Sequence, residues 1–206
     1  MSSLKQTARI AVLVSGGGTN LQALIDAQAA GKLRHGEIVL VVSNSAGAYA
    51  LTRAQNAGIE AVTLTKKDCG GPEGFEQALL RLLEERRIDL IVLAGFMSIL
   101  SAAFTRRYEN RILNVHPSLI PAFCGKGFYG LKVHEAALQY GVKVTGATVH
   151  YVNEIPDGGR ILLQKAVPIR PGDTPETLQR RVMSEAEWKL LPRAVEMVCR
   201  EITMKG

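Results

Sequence analysis

The stretch that decides the fold is RIAVLVSGGGTNLQALIDAQAAG, residues 9–31. Its first part, Arg9–Val14, is a continuous apolar run rich in β-branched residues, which predicts a strand buried on both faces. Three glycines follow, and Asn20–Ala30 then repeats apolar residues at helical spacing, ending at Gly31. A buried strand, a glycine loop and an amphipathic helix in succession are typical of the start of a βαβ unit.

The same alternation continues through the first half of the chain. The predicted strands cover Arg9–Val14, Glu37–Val42, Glu60–Leu64, Leu90–Ala94 and Arg111–Val115. The predicted helices cover Asn20–Ala30, Tyr49–Ala57, Glu73–Arg87 and Ser101–Tyr108. Repeated strand–helix units predict a mostly parallel sheet with helices on both faces.

The pattern changes after Pro117. The second half is predicted to contain a Gly- and aromatic-rich loop, a helix and two hairpin strands, at Pro121–Gly130, Lys132–Tyr140, Val142–Val152 and Arg160–Pro168 respectively. A last helix starts at Thr174-Pro175, with Thr as N-cap and Pro at the first position. Pro192 is expected to kink or divide that helix.

These elements give an α/β fold class: a mostly parallel open sheet flanked by helices, with an antiparallel hairpin in the C-terminal half. The sequence shows no repeat, low-complexity segment or linker, so residues 1–206 are expected to form a single domain. No apolar run approaches the roughly 20 residues of a membrane span, and Met1–Thr7 is too polar for a signal peptide. A cytoplasmic location is therefore expected. Three distant cysteines indicate neither a disulfide framework nor a zinc site.

The net charge of +6 predicts attraction for anionic ligands. Aromatic residues are only 5% of the chain, and no basic run is interleaved with them as in single-strand binders. Small anions are therefore favoured over nucleic acid as partners.

The glycine loop, Ser15 to Asn20, lies between a strand and a helix N-terminus, where backbone N–H groups readily bind an anion. The alternative is a tight turn that only needs glycine dihedrals. Leu21 occupies the third glycine position of a dinucleotide fingerprint, and Ser43-Asn44 stands where that site needs an acidic residue. A phosphomonoester fits this loop best.

A second candidate is Asn114-Val115-His116, at the carboxyl end of the fifth predicted strand. Residues two apart point to one face, and ligands of open α/β sheets bind where the strand order reverses. The glycine loop, Gly95-Phe96-Met97 and the Asn/His pair are expected to converge there. A buried structural histidine is the alternative.

A third candidate, Asp157, sits in Pro-Asp-Gly-Gly, and its local sequence favours a plain turn residue. The other histidines are weaker candidates. His35 is expected to be solvated, His134 to open a helix near the active-site loop, and His150 to be structural.

Several segments together resemble the phosphoribosylglycinamide formyltransferases, a branch of the folate-dependent formyltransferase family. They are VLVSGGGTNLQALI (Val12–Ile25), VLAGFMSIL (Val92–Leu100), ILNVHPSLIPAF (Ile112–Phe123) and GATVHYVNEIPDGGRIL (Gly146–Leu162). Asn-x-His-Pro-Ser with a downstream Asp is shared by the wider family, and Ser-Gly-Gly-Gly-Thr-Asn narrows the resemblance to this branch. It extends through nearly the whole chain.

The resemblance implies transfer of a formyl group from 10-formyltetrahydrofolate, a co-substrate, to glycinamide ribonucleotide in purine biosynthesis, without a metal. It implies three sets of site residues. The catalytic set is Asn114, His116 and Asp157. The nucleotide site, with Glu187 on the ribose, is Gly17, Gly18, Thr19, Asn20 and Glu187. The folate site is Met97, Ser98, Ile99, Leu100, Asn114, Asn153, Glu154, Ile155, Pro156 and Asp157.

The chain departs from the family pattern in five places. Pro72 and Ser98 stand where many members have Arg, and Pro156 before Asp157 is unusual. The loop Cys124–Lys132 is longer than in some members. One extra residue around Met183–Trp188 bears on the register of Glu187.

The expected chemistry is attack of the substrate amine on the formyl carbon. Asn114 and protonated His116 would donate to the developing oxyanion, and Asp157 would favour the charged imidazole and hold a water that moves protons. Three rivals are a methionyl-tRNA formyltransferase, a formyltetrahydrofolate hydrolase and a non-enzymatic phosphate- or folate-binding module. The first two are expected to carry an additional domain, and an intact catalytic set disfavours the third.

Overall fold

The computed structural model describes residues 7–205. Met1–Gln6, most of the segment predicted not to be a signal peptide, and Gly206 lie outside the described residues. The strands are β1 Ala8–Val14, β2 Gly36–Ser43, β3 Glu60–Thr63, β4 Leu90–Leu93, β5 Ile112–His116, β6 Val144–Tyr151 and β7 Ile161–Pro168. The helices are α1 Thr19–Ala29, α2 Tyr49–Asn56, α3 Pro72–Glu85, α4 Ala102–Arg107, α5 Leu131–Tyr140, α6 Pro175–Val182 and α7 Trp188–Lys205.

The seven strands form one sheet in the order β3-β2-β1-β4-β5-β6-β7. The first five strands are parallel, whereas β6 runs antiparallel to both β5 and β7. The predicted fold class is therefore confirmed, including the antiparallel hairpin at the C-terminal side.

The central strands of the sheet, β1 and β4, are buried on both faces, as the continuous apolar sequence of β1 requires. Ile10, Val12 and Val14 pack into the core beneath α1, α2 and α7. Ala11 and Leu13 point the other way, into the core beneath α3 and α4. This alternation follows from the two-residue period of a strand, and it makes β1 the centre of the molecule.

The strand order reverses between β1 and β4, so the loops that follow these two strands lie side by side. The backbone N–H of Met97, after β4, donates to Ser15 Oγ, after β1, over 2.8 Å. The Asn44 amide, after β2, donates to Ser98 Oγ over 2.9 Å. The sheet thus gathers three loops at one edge, as predicted for the first and fourth strands.

The last helix differs from its prediction. It is interrupted by a π-helical turn at Met183–Glu187, and not at Pro192, which lies inside α7. A π turn absorbs one additional residue in a helix, which fits the extra residue predicted around Met183–Trp188. Pro192 is the fifth residue of α7, and the helix continues through it to Lys205. The predicted N-terminus is correct, because the Thr174 side chain caps α6.

The part of the chain that the structure describes has no helix with the length and apolar character needed to cross a bilayer. Within residues 7–205, no three His, Cys, Asp or Glu side chains are grouped in a way that could hold a metal ion. Cys69, Cys124 and Cys199 are free thiols.

Candidate active site

The carboxyl end of β5 presents Asn114 and His116. Asn114 is half-buried, and His116 is buried with 4% of its surface exposed. Across the antiparallel ladder, Asn114 lies opposite His150 and His116 opposite Thr148. Pro117 has no N–H to continue the ladder, so the strand ends here with both polar side chains at the edge of the sheet.

Asp157 comes from the connection between β6 and β7, where its φ of 55° is left-handed. Its Oδ2 lies 3.5 Å from His116 Nδ1, and its Oδ1 lies 3.5 Å from Asn114 Nδ2. A Cβ on Gly159 would collide with the Tyr151 carbonyl, so only glycine lets the turn fold this closely onto β6. Asp157 is therefore both a turn residue and a neighbour of the Asn/His pair.

His150, expected to be structural, lies on β6 and also contacts this cluster. Its Nε2 lies 3.1 Å from Asn114 Nδ2 and 3.6 Å from Asp157 Oδ1. Its Nδ1 lies 2.8 Å from the Tyr151 carbonyl, which can only accept, so Nδ1 carries a proton. Neutral His150 can accept from Asn114 through Nε2, and protonated His150 can donate to Asp157.

The loop 121–130 closes over the cluster. His116 Nε2 lies 2.8 Å from the Phe123 carbonyl, so this nitrogen is a donor, and its Nδ1 is left facing Asp157. The Gly125 N–H donates to Asp157 Oδ2 over 2.8 Å. Sequence reasoning identified this loop but not these two contacts, because they depend on how the loop folds back.

The environment of Asp157 favours its charged form. Burial raises the pKa of this carboxyl, but a hydrogen bond from His150, the charge of His116 and the Gly125 N–H together hold the pKa below its ordinary value. Asp157 is therefore a carboxylate at neutral pH, next to two imidazoles that can carry protons.

A pocket of about 140 Å³ opens beside this cluster. All residues predicted for folate binding line it except Met97, which is 58% exposed and contributes its backbone to Ser15. Phe96, which was expected near the site but not in the folate set, also lines the wall, as do Leu93, His150 and Val152, which were not predicted. One end of the pocket is thus polar at Asn114 and Asp157, and the remaining walls combine apolar side chains with polar ones such as Ser98 and Asn153.

The glycine loop sits on the neighbouring strand. In the described structure, the backbone N–H groups of residues 16–20 donate to no protein acceptor. Gly18 has a φ of 72° at the N-cap of α1, and a Cβ there would lie 2.6 Å from the Ala50 Cβ. Gly16 and Gly17 have open space around them. The loop therefore presents unpaired donors at a helix N-terminus, which suits an anion.

Glu187 lies against this loop despite the extra residue before it. The π turn buries its carboxyl, which accepts from Asn20 Nδ2 over 2.7 Å. Burial raises the pKa of Glu187 to about 7, partly offset by the Asn20 bond. The Oδ1 of Asn20 has no partner within residues 7–205.

Of the other two histidines, His35 differs from expectation, whereas His134 lies in the first turn of α5, near the cluster, as expected. His35 is paired with Glu196, Nδ1 to Oε1 at 2.6 Å, and is not simply solvated. His134 is fully buried in α5, and burial, together with the charge of His116, lowers its pKa to about 4. His134 is therefore neutral near the cluster.

A larger concavity lies away from this cluster. A groove of about 880 Å³ runs between α1 and α7 and includes Thr19, Arg53, Trp188 and Arg193. It contains none of Asn114, His116 and Asp157, so size alone does not mark the reactive centre. The convergence of polar groups at the smaller pocket is the better guide.

Residues 8–195 match the model of the formyl transferase family. The chain belongs to this family. It is 47% identical over 190 residues to the trifunctional purine biosynthetic protein adenosine-3 of Gallus gallus, covering 92% of this chain and 18% of that protein. It is 42% identical over 188 residues to the phosphoribosylglycinamide formyltransferase of Haemophilus influenzae, covering 91% of this chain and 85% of that protein.

The fold of this chain agrees with that of a solved formyl transferase structure. The glycinamide ribonucleotide transformylase 1 of Symbiobacterium toebii superposes with a TM-score of 0.88 at 41% identity, covering 95% of this chain and 89% of that one. The resemblance predicted from the sequence is thus confirmed. The chain spans less than a fifth of the length of the trifunctional relatives it matches.

Proposed function

We propose that this chain transfers the formyl group of 10-formyltetrahydrofolate to the amine of glycinamide ribonucleotide, a step of purine biosynthesis. The observation that carries the proposal is the meeting of Asn114, His116 and Asp157 between a pocket with mixed apolar and polar walls and a glycine loop with unpaired N–H groups. One side suits a heterocyclic donor, and the other suits a phosphate.

The folate would occupy the pocket lined by Ser98 to Leu100 and Asn153 to Asp157. Its formyl group would lie at the polar end, within reach of Asn114. Gly17 to Asn20 would hold the phosphate of glycinamide ribonucleotide, with the N–H groups and the α1 N-terminus stabilising its charge. Glu187, beside Asn20, would accept from a ribose hydroxyl.

The amine would attack the formyl carbon, and negative charge would develop on the formyl oxygen. Asn114 would donate to that oxygen through its amide, and protonated His116 would provide a second donor through Nδ1, because its Nε2–H is bound to the Phe123 carbonyl. Each preorganised donor of this kind lowers the activation barrier by about 2.7–4 kcal/mol. His116 would then donate its Nδ1 proton to the departing folate nitrogen and become neutral, with Nε2–H still bound to the Phe123 carbonyl.

Asp157 would act on both ends of this proton transfer. Its carboxylate lies 3.5 Å from His116 Nδ1 and stabilises the protonated ring. It is also placed to hold a water that accepts the proton lost by the amine. His150, between Asn114 and Asp157, would orient both side chains.

We also propose that residues 1–206 form a single catalytic domain, because one sheet runs through the described chain from β1 to β7. Each small molecule would then be bound by loops of the same sheet.

The test is incubation with glycinamide ribonucleotide and 10-formyltetrahydrofolate, with formylated nucleotide and free formate measured separately. Formylated nucleotide in proportion to consumed donor is the expected result. Free formate alone would indicate a hydrolase, and binding of both molecules without turnover would indicate a binding module. Either outcome would refute the proposal.

A further inference from the structure

Residues of helix α2 donate hydrogen bonds to two carbonyl groups of the glycine loop. The N–H of Ala50 donates to the Gly16 carbonyl over 3.1 Å, and Arg53 Nε donates to the Gly17 carbonyl over 2.8 Å. Gly18 packs directly on Ala50, where a side chain would not fit. Two consecutive peptide units of the loop are therefore oriented by α2.

The geometry of the peptide unit turns this contact into an orientation of donors. In a planar trans peptide, the carbonyl of one residue points opposite to the N–H of the next. With the Gly16 and Gly17 carbonyls drawn toward α2, the N–H groups of Gly17 and Gly18 point away from it. Neither N–H has an acceptor in the described part of the chain.

Arg53 is itself held in place on two sides. Its Nη1 donates to Gln22 Oε1 over 2.9 Å, and Gln22 in turn donates to Asp26. Its guanidinium lies 5.0 Å from the centre of the Tyr49 ring. Tyr49 is 57% exposed, and its ring packs against the Arg53 guanidinium and not against the hydrophobic core.

We propose that Arg53 is a positioning residue for the phosphate of the substrate. It acts without touching the phosphate, by fixing the Gly17–Gly18 peptide so that the Gly18 N–H faces the anion, and by placing a positive charge behind the loop. This proposal rests on the proposed function for the identity of the substrate, but the orientation of the loop can be tested without turnover.

The test uses inorganic phosphate as the probe, with binding followed through the amide NMR signals of Gly17 and Gly18. Arg53→Met is expected to raise the phosphate Kd about tenfold, the effect of losing one charge-assisted hydrogen bond. Arg53→Lys should fall between this variant and the wild type, since it keeps the charge but loses the planar Nε–H donor. If Arg53→Met does not fold, Arg53→Lys carries the comparison.

The matched control is Arg193→Met. Arg193 is exposed in the groove between α1 and α7 that also contains Arg53, and its substitution removes the same charge. Within residues 7–205, Arg193 donates to no carbonyl of the glycine loop. The phosphate Kd of Arg193→Met should stay within about twofold of the wild-type value, because an exposed charge is screened by salt. Phosphate binding by Arg53→Met equal to wild type, or an equal loss in Arg193→Met, would overturn the proposal.

Steady-state kinetics give a second readout. Arg53→Met should raise the KM for glycinamide ribonucleotide while leaving kcat and the KM for the folate donor near wild type. A merely structural defect would instead lower kcat and raise both KM values, together with a lower melting temperature. If the wild type shows no formyl transfer, the proposed function fails while the phosphate experiment still decides the role of Arg53.

Discussion

At the scale of single residues, His116 has the most defined geometry in the cluster. Its Nε2–H is committed to a donor role by the Phe123 carbonyl, and its Nδ1 faces Asp157. We expect His116→Ala to lower turnover by roughly 10²–10⁴, the range for a general acid or base, with little change in folate affinity. Purified variants would be compared by initial rate and by direct titration of the donor.

His35→Ala is the control for this prediction. His35 is also a partly buried histidine, but its partner is Glu196, far from β5 in sequence and outside the pocket. This variant should keep near-normal turnover. Near-normal turnover in His116→Ala as well would contradict the role given to His116.

Glu187 gives a prediction on pH. Its folded pKa, raised to about 7, lies above its unfolded value, so the unfolded chain releases this proton first and stability falls as pH rises from about 4.5 to 7. Glu187→Gln removes the charge and can still accept from Asn20. We expect the melting temperature of Glu187→Gln, relative to that of the wild type, to be higher at pH 8 than at pH 4. An identical difference at both pH values would rule out a buried, ionising Glu187.

At the scale of elements, the glycine loop depends on its contact with α2. Gly18→Ala places a Cβ 2.6 Å from Ala50 in a left-handed conformation, whereas Gly16→Ala meets open space. The left-handed conformation alone costs about 1–2 kcal/mol for alanine. We expect Gly18→Ala to lower the melting temperature and weaken phosphate binding, while Gly16→Ala keeps its stability. Equal stability of the two variants would show that the loop is not packed as described.

The start of α6 is secured by Asp173. Hydrogen bonds from Arg181 lower the pKa of this carboxyl to about 2, against the opposing effect of burial and with help from the Arg170 N–H. A depressed pKa gives stability that is present above the unfolded value of about 3.9 and lost as pH falls toward 2. Asp173→Asn should therefore melt below the wild type at pH 6. The gap should close near pH 2, and a gap that is constant with pH would contradict this.

Local sequence patterns were sufficient to predict most elements. The run before Ser15, the three glycines and the helical spacing after Asn20 each act within a few residues, so they could be recognised without the fold. The π turn at Met183–Glu187 could not be predicted in the same way, because it depends on Glu187 reaching Asn20 in α1. The interruption of the last helix was therefore predicted at Pro192, whereas the structure places it earlier, at Met183–Glu187.

At the scale of the whole molecule, the candidate site depends on the order and register of strands. The reversal between β1 and β4 places the glycine loop next to the pocket proposed for folate, and this followed from the βα repetition. His150 was missed because the pairing of Asn114 with His150 is set by the β5–β6 register. A strand sequence specifies which face a residue occupies, but not which residue lies opposite.

The most direct test of the account follows a carbon-13 formyl label from 10-formyltetrahydrofolate in the wild type and in Asp157→Asn. Asn accepts the left-handed conformation and can still accept from Gly125, so the variant should fold with a near-normal melting temperature. The label should appear on the amine of glycinamide ribonucleotide in the wild type, and roughly 10²–10⁴ more slowly in the variant. Label released as free formate by the wild type, or transferred at the same rate by Asp157→Asn, would contradict the assignment of the Asn114, His116 and Asp157 cluster as a formyl-transfer site.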